Sequence, residues 1–378
     1  MYDYLKPLTI DFDFDEAKSL GIIGGNIAVH LPGFQPSHYE ADIFIIGVNE
    51  DRNAIDNEGT KFAPDQIRQS FYRLFPGNWS LNLVDLGNLI ETESPLKSLE
   101  LLRIVLAQLP KDASVVILGG SQDLSLAVTD FLDSGNNIYN LSVIDAIIDS
   151  SLSDIEIDNE NYLQVLLHKE TANFQYLNVM GVQTYYNHPA KFKIFDQLYI
   201  DYYKLGEMQN QILDFEPELR QANFVSIDAR SIKYSDMPAH KEGRPNGFNG
   251  IDICRLSRLA GVGTQNRFFG IFEYNPLWDK ANTGSQLMAQ ILWYYIEGKN
   301  RYQPDYPNIR WSEMIKFHVE HKLFNLIFYK NPNTNRWWFK LPEMTNEILF
   351  PCNEKDYQQA ISGQITPRIY KFIEKNSL

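Results

Sequence analysis

In the stretch SVIDAIIDSS, residues 142 to 151, Asp145, Ile147 and Asp149 occupy alternate positions. Side chains on an extended chain alternate between faces. If the strand continues, the two aspartates therefore point the same way, with Ile147 between them. Two carboxylates on one face hold a metal, a cation or a substrate proton, and a third polar group at position 147 would complete such a site. Other acids close other apolar runs: Asp228 ends FVSID and Glu273 ends FFGIFE. Each aspartate taken alone reads equally well as a cap on the turn or helix that follows. Four acids meeting at one edge are better explained as a site.

The elements that position these acids are short and nearly continuously apolar. ADIFIIGV (41–48), SVVILGG (114–120), LSVID (141–145), LNVMGV (177–182), FVSID and FFGIFE (268–273) read as buried strands, with LNLVDLG (81–87) as a further one. Between them lie amphipathic segments. APDQIRQSFYRLF has Pro64 near its start and Ile67, Phe71 and Leu74 on one face. SPLKSLELLRIVLAQL, DLSLAVTDFL, IDICRLSRLAG and TGSQLMAQILWYYIEG follow the same rule. Strand and helix in alternation predict an open, doubly wound parallel sheet, with ligands outside the carboxyl ends of its strands. Gly119, Gly120, Asp145, Asp149, Asp228 and Glu273 all fall there.

Two regions follow from this pattern: 1–300 as the α/β domain and 301–378 as an appended element. In the second, RYQPDYPNIRW reads as a linker or wrapping segment, and LFNLIFYK, NPNTN and RWWFKL as a hairpin with a five-residue turn. The tail NEKDYQQAISGQITPRIYKFIEK reads as helical with a break at Pro367. Trp337 and Trp338 are expected to pack rather than to form a ligand platform.

Bulk properties limit the function. A chain of 378 residues with 44% hydrophobic content can bury a large core. Its net charge of -14 repels nucleic acid and anionic membrane, so neither is an expected partner. Two cysteines argue against a disulfide framework. The first residues show no basic region followed by an apolar run, and no run reaches the roughly 18 residues of a membrane span. A cytoplasmic location is the expectation.

The order and spacing of these segments resemble the ureohydrolase superfamily of arginase, agmatinase and formimidoylglutamase, from about residue 41 to 298. IIGVNEDRNAIDNEGTKFAPDQIRQSFYRL is similar to the family's first strand, glycine-containing loop and Pro-aspartate helix. VVILGGSQDLSLAV is similar to its Gly-Gly-x-His-(Asp/Glu) segment, nearest the formimidoylglutamase form. VIDAIIDS is similar to Asp-Ala-His-x-Asp, and FVSIDARSIKYSDMPA to Ser-x-Asp-x-Asp-x-x-Asp-Pro. FFGIFEYNPLWDKANTGSQLMAQILWYYIEG is similar to the closing strand, Glu-x-Asn-Pro turn and last helix. The resemblance implies a three-layer α/β/α fold with a mostly parallel sheet of about eight strands. It also implies hydrolysis of a linear amidine by a hydroxide held between two manganese ions, bound by two histidines and four aspartates.

Residue by residue, that ligand set is broken. Gln122 stands at the first histidine position and Ile147 at the second, and Arg230 replaces an aspartate; Asp145, Asp149 and Asp228 remain. Gln122 offers only a neutral amide oxygen, Ile147 offers no lone pair, and Arg230 repels cations. Arg230 and Asp228 share a face if their segment is extended. The expected arrangement is a former metal site in which Arg230 pairs with Asp145, Asp149 or Asp228, since clustered carboxylates without a positive partner must take up protons. The alternative turns Arg230 to solvent. Glu273 matches the acid that faces the amidine end of the substrate in arginase-like relatives, so it is expected to hold a small cationic ligand, reach Arg230 or cap a turn.

None of the histidines His30, His38, His168, His188, His240, His318 and His321 falls on a family ligand position. His318 and His321 lie three apart in what reads as a helix, a spacing that can bind metal, although a solvated pair is the simpler reading. His168 and His188 are expected at the rim of the pocket. Cys254 reads as a packing residue, and the GVG at 261–263 precedes a strand, so it is no dinucleotide fingerprint. Three functions compete. The first is a non-catalytic ureohydrolase homologue without manganese, acting by binding or assembly on a protein partner or small ligand of unassigned identity, as a monomer or homo-oligomer. The second is an amidine hydrolase of the formimidoylglutamase, arginase or agmatinase type with an altered metal site. The third is metal-free chemistry by Asp145, Asp228 and Glu273, for which no nucleophile with an adjacent base is visible.

Overall fold

The computed structural model describes residues 1–37, 40–135, 138–151, 156–241, 243–303, 305, 309–321, 325–342 and 349–376. Eight parallel strands carry the main domain: β1 (Ile43–Gly47), β2 (Leu83–Leu89), β3 (Ser114–Leu118), β4 (Tyr139–Ile144), β5 (Phe174–Val182), β6 (Asp201–Lys204), β7 (Phe224–Asp228) and β8 (Phe268–Phe272). Their order across the sheet is β2-β1-β3-β8-β7-β4-β5-β6. Two further strands of two residues each flank β2: Leu5–Lys6 pairs with it antiparallel and Ala28–Val29 parallel. The sheet is therefore the expected one, extended at one edge. β6 is the strand that apolar runs did not announce. Its sequence DYYK is polar and aromatic because it lies half-buried at the far edge, where full burial is not required.

Alternate residues of each strand enter different cores, which makes the three layers. Ile43, Ile45, Val116, Ile227 and Ile271 pack on one face with helices α1 (Ala63–Phe71), α7 (Gly250–Gly261) and α8 (Thr283–Asn300). Phe44, Ile46, Val115, Val143 and Phe268 pack on the other with α2 (Pro95–Leu106), α3 (Ser125–Ser134), α4 (Tyr162–His168) and α5 (Pro189–Gln197). Local signals set the helix starts. Ser94 caps α2 by accepting from Lys97 N, Asn249 caps α7 by accepting from Asp252 N, and Pro64 lies in the first turn of α1.

Beyond α8 the chain forms an antiparallel sheet of β9 (Ile315–Glu320), β10 (Asn325–Lys330), β11 (Trp337–Lys340) and β12 (Phe350–Cys352), followed by α9 (Glu354–Ile361) and α10 (Pro367–Asn376). The expected hairpin is β10–β11, but six residues join the strands rather than five, because Lys330 pairs with Trp337. Pro367 begins the last helix. His318 lies in strand β9 and His321 just after it, so the helical pair read from their spacing does not form; His321 bonds the Gly363 carbonyl instead. The alternation of β9 places its residues for sheet pairing, which outweighs the local spacing. Trp337 and Trp338 are buried, as is Cys254. His38 lies outside the described residues, as do Pro304 and residues 306–308 of the segment read as a linker. Asp305 within that segment is buried and accepts from Asn331 and Thr334.

This element docks on α6 (Glu216–Gln221), a helix of the main domain. Arg368 donates to both oxygens of Glu218 and to the Asp214 carbonyl, and also binds Asp356 within the appended element.

Candidate functional site

Asp145 follows the last residue of β4, and Asp228 is the last residue of β7, its neighbour in the sheet. Asp149 comes from the loop after β4. The strand stops at Ile144, so the alternation expected for 145, 147 and 149 does not apply. The loop nonetheless delivers both acids to one place. One oxygen from each of Asp145, Asp149 and Asp228 lies within 4.8 Å of the others. All three residues are at most 1% exposed, whereas Ile147 is half-buried.

Arg230 closes over this group. The chain after Asp228 turns through a short 3-10 segment, Ala229–Ser231, instead of remaining extended, so the shared-face reading of Asp228 and Arg230 is replaced by a turn. Asp228 caps that turn, its Oδ1 accepting from Arg230 N at 2.6 Å. The Arg230 side chain folds back on the same carboxylate, Nε donating to Oδ2 at 2.9 Å and Nη2 at 2.7 Å. Nη2 is also 3.7 Å from Asp149 Oδ2, and Nη1 is 3.8 Å from Glu160 Oε1. Of the pairings expected for Arg230, the one with Asp228 forms in full and the one with Asp149 at longer range. The orientation toward solvent does not form, because Arg230 is 6% exposed.

The other two acids remain short of partners. Asp145 Oδ1 accepts from Ile147 N at 3.0 Å, but Asp145 Oδ2 and both oxygens of Asp149 are buried without a hydrogen bond. Burial, with the charge of Asp228 added, pushes the Asp145 carboxyl up to about 6 despite Arg230. Burial and the charge of Asp145 hold Asp149 well above the usual carboxylate range. Burial opposes the Arg230 charge, but Asp228, Glu273, Asp149 and Asp145 together raise the guanidinium well above its ordinary value.

Gln122 and Glu273 tie the neighbouring loops together. Gly120 approaches the loop after β1 so closely that a Cβ would lie 1.8 Å from the Glu50 carbonyl oxygen, which only glycine tolerates. The next turn places Gln122, whose backbone N donates to Glu273 Oε1 at 2.8 Å. Its side-chain Nε2 donates to Tyr162 Oη and Ser226 Oγ, while Oε1 is buried without a partner. Glu273 Oε2 accepts from Asn57 Nδ2 at 2.8 Å. Both Glu273 oxygens thus join three loops, and neither reaches Arg230 as an ion pair. Burial pushes this carboxyl up to about 7, against the pull of Arg230.

Two cations near the site went unnamed in the sequence reading, and His240, named there, was not placed at the site. Lys191 donates to the Ile148 carbonyl, and burial lowers its ammonium against the attraction of Asp149 and Glu160. His240 is 5% exposed and feels both Asp228 and Arg230; burial pulls its imidazole down to about 4, so it is neutral, with Nε2 unbonded. Arg244 stacks 5.0 Å from the Tyr186 ring. No local signal marked these residues, because Lys191 on α5 and His240 and Arg244 from a later loop meet the acids only in the fold. His168 and His188, expected at the rim, are exposed: His168 bonds the Gln164 carbonyl and His188 caps α5.

A pair of divalent ions does not fit this donor set. Arg230 occupies both Asp228 oxygens, Ile147 supplies no donor, and the guanidinium stands where positive charge would have to enter. Asp145 and Asp149 nonetheless keep three oxygens without a hydrogen bond, close to Asp228, which is a chemically sensible set for one cation.

Residues 41–297 match the sequence profile of the arginase family. The chain is 23% identical over 269 residues to formimidoylglutamase of Cupriavidus pinatubonensis (strain JMP 134 / LMG 1197), covering 66% of this chain and 84% of that protein. The fold is similar to that of Trypanosoma cruzi formiminoglutamase with Mn2+, with a TM-score of 0.65 and 20% identity, over 71% of this chain and 97% of that one. Formimidoylglutamase from Bacillus subtilis gives a TM-score of 0.66 with 18% identity over 80% and 98% of the two chains. Agmatine ureohydrolase of Thermoplasma volcanium gives 0.60 with 20% identity over 75% and 97%. The appended element after residue 300 lies outside the matched family region.

Proposed function

The chain belongs to the arginase family, and from that premise we propose that it is a non-catalytic, formimidoylglutamase-like member that works by binding or assembly. One observation supports this reading above the others: Arg230 donates three hydrogen bonds to Asp228, two from its side chain and one from its backbone. A hydrolase of this type generates hydroxide near neutral pH because a metal lowers the pKa of bound water. A guanidinium supplies positive charge to the acids but binds no water as a Lewis acid. Its role here is to neutralise a carboxylate cluster that would otherwise repel itself.

The second reading is a hydrolase of linear amidines with an altered, single-cation site. The unbonded oxygens of Asp145 and Asp149, close to Asp228, favour it. Metal analysis of the purified full chain, joined to assays with Mn2+ on formimidoylglutamate, arginine and agmatine, separates the two. The first reading expects no bound metal, no formamide and no urea. Metal near stoichiometry together with turnover abolished by a chelator would establish the second.

The proposed partner is a protein or a small ligand. A net charge of -14 supports neither nucleic acid nor anionic membrane. Among the described residues no helix is long and apolar enough to cross a membrane. Action in the cytoplasm is part of the proposal.

A further inference from the structure

The appended sheet has two edges. β12 lies against the main domain, where Arg220 of α6 donates to the carbonyls of Cys352 in β12 and Trp337 in β11. β9 is the opposite edge, three strands and roughly 14 Å away at about 4.8 Å per strand. It is a regular strand. All of Ile315–Glu320 keeps register with β10 without a bulge, and neither proline nor glycine interrupts it.

The ladder shows where its free hydrogen-bonding groups point. Asn331 N donates to the Arg336 carbonyl, and these two residues continue the register in which Lys330 pairs with Trp337. Hydrogen-bonded pairs alternate along an antiparallel ladder. Tyr329 and Ile327 therefore bond β11, while Lys330, Phe328 and Leu326 bond their β9 partners Ile315, Phe317 and Val319. The backbone N–H and C=O groups of Lys316, His318 and Glu320 are left facing outward. All three residues are exposed. Among the described residues these groups have no hydrogen-bond partner, and the Lys316 and Glu320 side chains have no ion pair.

Such a row is a template for a further strand. The sequence IKFHVE fits a second copy of itself. Antiparallel pairing about a two-fold axis at His318 brings Lys316 opposite Glu320 of the second copy, and Glu320 opposite its Lys316. Phe317 then meets Val319 on the other face, and all three outward-facing residues of each strand exchange both backbone bonds. An axis at Phe317 sets Lys316 against His318 and leaves Glu320 facing Met314; an axis at Val319 sets Glu320 against His318 and leaves Lys316 without a partner in the strand. Lysine on an edge strand normally opposes association. Here Glu320 supplies the opposite charge across the axis. We propose that the appended element is a dimerisation module, in which β9 of two chains pair antiparallel about His318 and join the two four-stranded sheets into one. This goes beyond the reading of the carboxylate group and does not rest on it, since an active hydrolase would dimerise through the same strand.

The test uses the purified full chain. Sedimentation equilibrium from about 1 to 200 µM should show a reversible monomer–dimer equilibrium, the dimer having twice the 43.8 kDa of one chain. His318→Pro removes the outward N–H at the axis and spares the bonds to β10, because proline is tolerated on an edge strand. It should be monomeric throughout, with the circular dichroism of the wild type. Lys316→Glu sets like charges opposite each other twice and should weaken the dimer about tenfold or more. Lys316→Glu combined with Glu320→Lys re-forms both pairs and should recover association, so the test survives if the proline variant fails to fold. A wild type that stays monomeric over this range overturns the proposal and leaves the edge to an extended segment of another protein. The proposal is also overturned if the dimer survives His318→Pro or Lys316→Glu unweakened, or if the charge-swapped variant stays as weak as Lys316→Glu.

Discussion

Arg230 holds Asp228 from both ends of the carboxylate: its backbone N donates to Oδ1 at 2.6 Å, and Nε and Nη2 donate to Oδ2 at 2.9 and 2.7 Å. The two residues are only two apart, so the pair forms inside one turn. What makes it consequential is the company it keeps, since Asp149 and Asp145 arrive from another strand with unbonded oxygens.

Removing the guanidinium should therefore destabilise the fold. Arg230→Ala leaves three buried acids without a positive neighbour in contact, a loss of about 3–5 kcal/mol for a buried pair broken on one side. Urea unfolding of the wild type and variant measures it. An unchanged midpoint would show that the arginine does not hold the acids.

Restoring the family ligand set should reverse the preference for metal. Gln122→His, Ile147→His and Arg230→Asp together supply two imidazoles and a fourth aspartate. Added Mn2+ should raise the melting temperature of this triple variant through linkage and leave the wild type nearly unmoved. Equal stabilisation of both would mean that the natural site already binds the ion.

The Asp145 and Glu273 carboxyls should lower stability as pH rises from about 4 to 7, while the depressed His240 imidazole works in the opposite direction between about 4 and 6.5. Asp145 and Glu273 are pushed up to about 6 and about 7, so the folded chain binds protons that the unfolded chain has released. Their contribution is complete below the unfolded carboxylate range and is lost as pH passes the raised values. Each such group adds a slope of about 1.4 kcal/mol per pH unit inside its window. Urea unfolding from pH 5 to 8 should show a shallower decline for Asp145→Asn than for the wild type. Identical slopes would contradict the raised value.

Docking of the appended element should depend on Arg368. This residue bonds Glu218 and the Asp214 carbonyl of the main domain as well as Asp356 of its own element. Arg368→Leu strands two buried carboxylates and should weaken the chain by about 3 kcal/mol or more. Limited proteolysis should then cut between residues 300 and 376 sooner than in the wild type. Unchanged cleavage would place the docking energy in the aromatic contacts instead.

Much of this was written in short-range patterns. Apolar runs separated by helical periods specify a doubly wound sheet, because strands covered on both faces must be apolar at every position. The same local reading placed Asp145, Asp228 and Glu273 at or just beyond strand ends, whereas Asp149 lies in the loop that follows β4; that Gln122, Ile147 and Arg230 stand at ligand positions came from the resemblance to the ureohydrolases. Edge strand β6 was not legible, since a half-buried strand needs no apolar run. The spacing of His318 and His321 suggested a helix because periodicity over three residues cannot distinguish it from β9.

The tertiary structure decided what those residues touch. Alternation along an extended chain predicted a shared face for Asp145 and Asp149, yet the strand ends first and a loop makes the convergence. Sequence left Glu273 to hold a cationic ligand, reach Arg230 or cap a turn, and the fold turns both its oxygens to Gln122 and Asn57. Lys191 and His240 entered the site with no sequence signal, and Arg220 met Trp338 across 118 positions of chain. Residue type fixes what a group can do and neighbours along the chain fix its local turn. Which charges face each other is set by distant segments packing together, and that information is spread over the whole sequence.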